Sequence, residues 1–151
     1  MRIEIVIALV MLLSFFALDW FDAGPFLSIK GYNVVSTISR MREAFNRSSS
    51  DSRLYLYYGL YAIPLTSLLG MMLSYKDKRE EAFKTISAGG AVAMVIMVIQ
   101  AAPGNFEMVE HFGPGLWLAL VATIASFFFG ADFSKKKSTE EQEASSTADQ
   151  Q

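Results

Sequence analysis

Along this chain of 151 residues, long uncharged apolar runs alternate with short charged stretches. Four runs recur, over about residues 3–20, 54–75, 85–102 and 114–131. Each is close to the roughly 20 residues with which an α-helix crosses a hydrocarbon core about 30 Å thick. The pattern predicts an all-α fold class: an integral-membrane, four-helix transmembrane bundle.

The third run organises the others. Its first half is built of small residues, Ser87, Ala88, Gly89, Gly90, Ala91 and Ala93, and its second half of Met94, Val95, Ile96, Met97, Val98 and Ile99. In lipid, small residues let helix backbones approach closely, and van der Waals contact then holds them. Ser87, Gly89, Gly90, Ala91 and Ala93 are therefore the expected packing seam. Ala119, Ala122 and Ser126 of the fourth run supply matching small faces, and Phe127, Phe128 and Phe129 are expected toward lipid.

The first run is interrupted only by Ser14 between Ile5 and Leu18. Arg2 is offset by Glu4, and Leu18-Asp19-Trp20-Phe21-Asp22-Ala23-Gly24-Pro25 offers no small-x-small cleavage site, so a retained membrane helix is expected rather than a signal peptide. Trp20 and Phe21 are placed at the far interface, where indole rings concentrate. The outer loop, 21–53, opens with a Gly24-Pro25 turn. A partly alternating stretch from Phe26 to Lys30 predicts a short extended piece. Val34, Ile38, Met41 and Phe45 then share one face of an extracytoplasmic amphipathic helix with Asn33 as N-cap. The second run opens on Tyr55, Tyr57, Tyr58 and Tyr61, an interfacial belt. Pro64 predicts a mid-span kink, with Thr66 and Ser67 near enough to satisfy the freed carbonyl.

Composition changes the picture in three places. The chain is 52% hydrophobic and 19% charged, and the charges gather between the runs. With no cysteine there are no disulfides, thiolate metal sites or cysteine nucleophiles. A net charge of −2 gives no footprint for nucleic acid. One membrane domain, 1–132, is expected, followed by a disordered cytoplasmic tail, 133–151, of lysines, glutamates, serines and glutamines. With four spans both termini share a side. That side carries eight lysines and arginines (Arg2, four within 76–84, and Lys135, Lys136 and Lys137) against five on the other, all in the first loop. The excess places both termini in the cytoplasm. Small size and absence of cysteine point to a bacterial inner membrane.

Candidate chemistry is sparse. Glu107, Glu110 and His111 have one-turn spacing that suits a divalent metal, but this is the only histidine and a zincin motif needs two. A solvated turn and no cofactor are expected there. Glu4 and Asp19 flank the first run and read as boundary residues. Ser14, Thr66, Ser67, Gln100, Thr123 and Ser126 are the polar groups inside the runs, and single hydroxyls and amides usually serve helix–helix bonding. Trp20, Tyr32, Arg40, Arg42, Tyr55 and Tyr58 are the candidate interface or partner residues. Asn46-Arg47-Ser48 matches a glycosylation triplet, a pattern common by chance.

Asp19-Trp20-Phe21 followed by Phe26-Leu27-Ser28-Ile29-Lys30-Gly31-Tyr32 resembles the first outer loop of small bacterial four-span membrane proteins. The layout is also similar to that of claudins, although their paired loop cysteines and Trp-Gly-Leu-Trp run are missing, so a barrier function does not carry over. Both resemblances imply topology and neither implies an activity. The leading expectation is a non-catalytic accessory or scaffold subunit, in contact with the lipid bilayer and with other membrane protein subunits or itself. The alternatives are a homo-oligomeric pore or small transporter, and a metal-dependent membrane enzyme at Glu107, Glu110 and His111.

Overall fold

A computed structural model of the chain describes residues 2–22, 28–44, 57–101 and 112–148, with side chains throughout these ranges except at 38, 41–44, 100–101, 137 and 140–148. The protein is mostly helical. Its elements are α1 (Ile3–Phe16), β1 (Asp19–Asp22), β2 (Ser28–Lys30), a 3-10 turn (Gly31–Asn33), α2 (Val34–Ala44), a second 3-10 turn (Tyr58–Tyr61), α3 (Ala62–Tyr75), α4 (Arg79–Ala101) and α5 (Pro114–Ala148).

Four helices pack in a ring: α1 against α3 and α5, α3 against α4, and α4 against α5, with α1 and α4 diagonally opposite. The beginning of α1, the end of α3 and the beginning of α4 meet at one end, where Glu4, Ser74 and Arg79 touch. The hairpin of β1 and β2 closes the other end, pairing Asp19 with Lys30, Phe21 with Ile29 and Asp22 with Ser28. The extended piece expected before Lys30 is β2, and its partner is the stretch expected to finish the first span.

Among the described residues, two helical stretches are long and apolar enough to cross a membrane, Arg79–Ile99 and Pro114–Lys136. In α1 and α3 the helix is only 14 residues long, about 21 Å at 1.5 Å per residue.

Three local expectations change. First, α1 stops at Phe16, and Trp20 turns inward rather than outward. Its side chain is 0% exposed and its indole Nε1 donates to the Ser14 carbonyl at 2.8 Å. That carbonyl belongs to the last turn of α1 and has no helical partner of its own, so the indole folds back to cap the helix. Second, Pro64 is the third residue of α3, after the Tyr58–Tyr61 turn. The backbone is already helical from Tyr57, and the Ala62 N–H bonds to the Gly59 and Leu60 carbonyls, so the proline follows a change from 3-10 to α winding near the start of the regular helix rather than at mid-span. Thr66 still donates to the Ala62 carbonyl at 2.7 Å.

Third, α5 runs without a break to Ala148 through the tail expected to be disordered. Phe133 lies 4.9 Å from the Arg79 guanidinium, and Ser134 Oγ donates to Glu80 at 3.3 Å, fixing the first turn beyond the apolar run. Lysine, glutamate, glutamine and alanine propagate a helix well once it is nucleated, and Lys136/Glu140 is an i,i+4 pairing by sequence. α3 ends at Tyr75, and Asp77 in the turn beyond it has a left-handed φ of 60°. Aspartate tolerates that region better than most side chains, and the Lys78 N–H closes the turn onto the Leu73 carbonyl at 3.0 Å.

The helices of the ring are sided in an unusual sense. α3 buries Ile63, Ser67, Gly70 and Ser74, spaced by four, three and four, and turns out Leu65 (70% exposed), Leu68, Leu69 and Met72. α5 buries Ala119, Ala122, Thr123 and Ser126 and turns out Val121, Ile124, Phe127, Phe128 and Phe129. The small and hydroxyl side chains face in, and the bulky hydrocarbon faces out.

Candidate functional site

The seam is built from the two central glycines of α4. A Cβ on Gly89 would overlap the Thr66 side chain of α3, and one on Gly90 would overlap the Thr123 side chain of α5. Adjacent glycines thus let α4 approach a helix on each side, each helix bringing a threonine to the contact. Both hydroxyls turn back to their own helices, Thr66 to Ala62 and Thr123 to the Ala119 carbonyl at 2.7 Å. Ser126 Oγ crosses from α5 to the Phe83 carbonyl of α4 at 3.1 Å, and Ser14 Oγ donates to Met11 at 2.8 Å. Ser67 is the one described side chain whose buried oxygen has no partner among the described residues. Gly90→Val is expected to cost about 2–3 kcal/mol, the upper range of overpacking a tight site. Denaturant unfolding in micelles checks this. An effect no larger than that of Ala91→Val would overturn the seam, because Ala91 faces outward.

Beyond the glycines α4 and α5 separate. Between them lies a cavity of about 390 Å³, lined by Gly90, Ala93, Met94, Met97 and Val98 of α4 and Leu116, Trp117, Ala119, Leu120 and Thr123 of α5. The Trp20 indole, Ile63 and Phe112 complete it. Trp20 is held there by two more glycines. A Cβ on Gly31 would lie 2.9 Å from Phe15 Cδ2 and 3.0 Å from the indole, and one on Gly115 would lie 2.7 Å from the indole. Phe15 meets the Trp20 ring edge-on at 5.6 Å, and the Gly113 N–H donates to the Trp20 carbonyl at 2.8 Å.

The opposite end carries a charge cluster. Glu4 is 0% exposed and its carboxylate accepts from Arg79 at 2.8 Å (Nε) and 3.0 Å (a terminal nitrogen), and from Ser74 Oγ at 2.9 Å. Arg2 bonds the Ser74 carbonyl and the Asp77 carboxylate, the latter at 2.6 Å. Arg79, with Glu4 on one side and Phe133 on the other, links α1, α4 and α5.

The sequence-derived residues separate accordingly. Gly89, Gly90, Ala93, Ala119, Ala122 and Ser126 are buried between helices, whereas Ser87 is half-buried and Ala91 exposed on the outer edge of the α4/α5 contact. One α-helical face cannot hold both Gly89/Ala93 and Ser87/Ala91, since positions two apart lie about 200° apart, and the glycine pair takes the interior. Of the proposed partner residues, Trp20 is internal. Tyr32 is partly exposed and stacks on Phe16 at 6.2 Å, its carbonyl taking the Tyr61 hydroxyl at 2.8 Å. Arg40 and Tyr58 are exposed. The Arg42 side chain, Gln100's side chain, Tyr55, the Asn46 triplet, Glu107, Glu110 and His111 lie outside the described residues. Among the described residues no group of three or more histidines and carboxylates is placed to hold a metal.

Sequence reading treated Glu4 as a boundary group, and missed Ser74 and Arg79 altogether. The available signal was an acid in the first turn of an apolar run, with an arginine opening another. Comparisons with protein-family models, with curated proteins and with solved structures return no match.

Proposed function

We propose that this chain is a four-span integral membrane protein that works without catalysis, as an accessory or scaffold subunit packed against other membrane proteins or against copies of itself. The observation that carries the reading is the inverted sidedness of α3 and α5. In water an amphipathic helix buries its apolar stripe and exposes its polar face. Here Ser67, Gly70 and Ser74 are inside while Leu65, Leu68, Leu69 and Met72 are outside. α1 is mixed, burying Ile7, Met11 and Phe15 along with Glu4 and Ser14 while exposing Leu9, Leu13 and Phe16. Hydrocarbon surroundings remove the penalty for those outer faces and leave close packing as the force that joins helices.

The interior supports packing rather than transport. Ser14, Thr66, Thr123 and Ser126 spend their hydroxyl protons on backbone carbonyls of the bundle. The Glu4–Arg79 end carries Arg2, Lys78 and Lys84, and α5 continues past it to Lys135 and Lys136. The positive-inside bias makes it the cytoplasmic end, in a bacterial inner membrane by the composition. The short α1 and α3 then reach a full thickness with the hairpin and the Tyr58–Tyr61 turn.

Gentle extraction from the native membrane, followed by native mass measurement, tests this. A defined complex with another membrane protein, or a homo-oligomer without ion flux in liposomes, is the expected result. A detergent-stable monomer that turns over a substrate, or flux through the purified protein, would overturn it.

A further inference from the structure

Beyond Ser134, α5 is helical against its own composition. We infer that residues 135–148 are a conformational switch: a helix lent by the bundle, which extends when Glu140, Glu141 and Glu143 are neutralised and unwinds toward the bundle when they are charged. The inference needs only the continuity of α5. It holds independently of the membrane and scaffold readings.

The stretch cannot start a helix alone. From Ser134 to Ala148 its only apolar residues are Ala144 and Ala148, so it has no face to pack. Ser138, Thr139, Ser145, Ser146 and Thr147 carry hydroxyls that compete for backbone groups. Thr139 Oγ1 does so here, donating to the Lys135 carbonyl at 3.1 Å. A peptide of about 12–15 residues is a marginal helix even when rich in alanine, because its first turn fixes several dihedrals for one hydrogen bond. α5 avoids that cost by entering the stretch already wound, with its preceding turn held on α4. A Cβ on Gly130 would lie 2.9 Å from Phe83 Cβ, so the two helices touch closely there. The Phe133 ring lies 6.5 Å from the Phe83 ring and 4.9 Å from the Arg79 guanidinium. Among the described side chains, Ser134 is the last of α5 with a hydrogen bond to another helix, donating to Glu80 at 3.3 Å.

The order of charges then gives two end points. Lys135, Lys136 and Lys137 come first, Glu140, Glu141 and Glu143 follow, and no lysine or arginine lies between Lys137 and Ala148. The C-terminal end of a helix is its negative pole, and an acid is unfavourable within about its last turn. While Ser145, Ser146 and Thr147 are wound, Glu143 lies outside that turn. Once they fray, Glu143, Glu141 and Glu140 enter it, and further unwinding relieves the repulsion. A helix that stops among the glutamates is therefore the least stable. The two favoured states run to Ala148 or stop near the lysines. Lys136/Glu140 and Lys137/Glu141 offset part of the repulsion by sequence, but lysine before glutamate is the weaker order of an i,i+4 pair.

The test places nitroxides two turns apart, on Ser138→Cys and Ser145→Cys of the full chain in mixed micelles. The chain has no cysteine of its own, so both positions are labelled alone. The wound state puts the two backbone positions about 10 Å apart with a narrow spread. The unwound state gives a broad spread centred near about 15 Å. Both components are expected in the otherwise unaltered chain. Adding Lys137→Pro, beyond the Phe133 and Ser134 contacts, is expected to leave only the broad one, because the winding no longer reaches from the bundle. Adding Glu140→Gln, Glu141→Gln and Glu143→Gln together is expected to raise the narrow-to-broad ratio about fivefold, the size of effect that acids have at a helix end. A narrow component that survives Lys137→Pro would overturn the lent helix, as would a broad spread in every variant. A ratio unchanged by the three glutamines would overturn the charge control. Each of these outcomes leaves the membrane and scaffold readings standing.

Discussion

Replacing Arg79 with alanine is expected to destabilise the detergent-solubilised protein by about 3 kcal/mol, the low end for removing one partner of a buried pair. Glu4 has no exposed surface, and its carboxylate would be left with the Ser74 hydroxyl and a backbone N–H but no counter-charge of its own. The low end applies because the Arg79 side chain is 35% exposed and water already reaches part of it. The loss of the Phe133 contact adds about 0.5 kcal/mol or more to the same variant. Two comparisons isolate the cause. Lys78→Ala removes an exposed pair with Glu81 and is expected to change stability by less than about 1 kcal/mol. The double variant Glu4→Leu with Arg79→Met replaces the pair by hydrocarbon of similar length and is expected to recover most of the loss. Denaturant titration in mixed micelles, followed by tryptophan emission, measures all three. If Arg79→Ala and Lys78→Ala prove equal, Glu4 is solvated and the cluster does not hold the helices together.

That cluster also marks where sequence legibility ends. The four apolar runs, the helix beginning at Val34 and the extended piece before Lys30 follow from periodicity and from the absence of charge, which are local properties. The glycine pair of α4 follows because a small residue in a hydrophobic run has few uses other than close contact. Glu4 and Arg79, 75 positions apart, carry no such mark. A carboxylate at the end of a run reads the same whether it meets water or a guanidinium, and only the antiparallel packing of α1 on α3, which brings the starts of α1 and α4 to one end, decides between them. Pro64 looks central in the uncharged run from Leu54, but regular α winding begins only at Ala62, after a 3-10 stretch that no composition marks. Lack of charge defines what a membrane can cover, which is longer than the regular α-helix. The tail errs in the other direction. Polar composition argues that a segment cannot build a core, yet α5 is already nucleated inside the bundle, and each further residue needs only to propagate it.

Trp20 is the position where the sequence pattern and the structure differ most, and there the largest loss is expected. Trp20→Ala should cost about 3–5 kcal/mol, the range for deleting a large aromatic from a closed site. Trp20→Phe should cost roughly 1–2 kcal/mol, since it keeps a ring against Phe15 and loses the hydrogen bond that caps α1. The aromatic surroundings explain why a tryptophan beside two aspartates turns inward. Asp19 and Asp22 remain partly or fully exposed on β1, and Trp20 is the extra residue of an irregularity between the Asp19–Lys30 and Phe21–Ile29 pairs, which re-aims its side chain inward. Gly31 and Gly115 leave room for the indole on that face. Removing the ring therefore loosens three elements together: the end of α1, the hairpin and the start of α5. Hydrogen exchange is the discriminating measurement. In Trp20→Ala, amides of Asp19–Asp22, Ser28–Lys30 and Gly113–Leu116 should exchange faster, while Arg79–Gly90 at the charged end keeps its protection. Loosening confined to the hairpin would mean that Trp20 fills space without coupling α1 to α5.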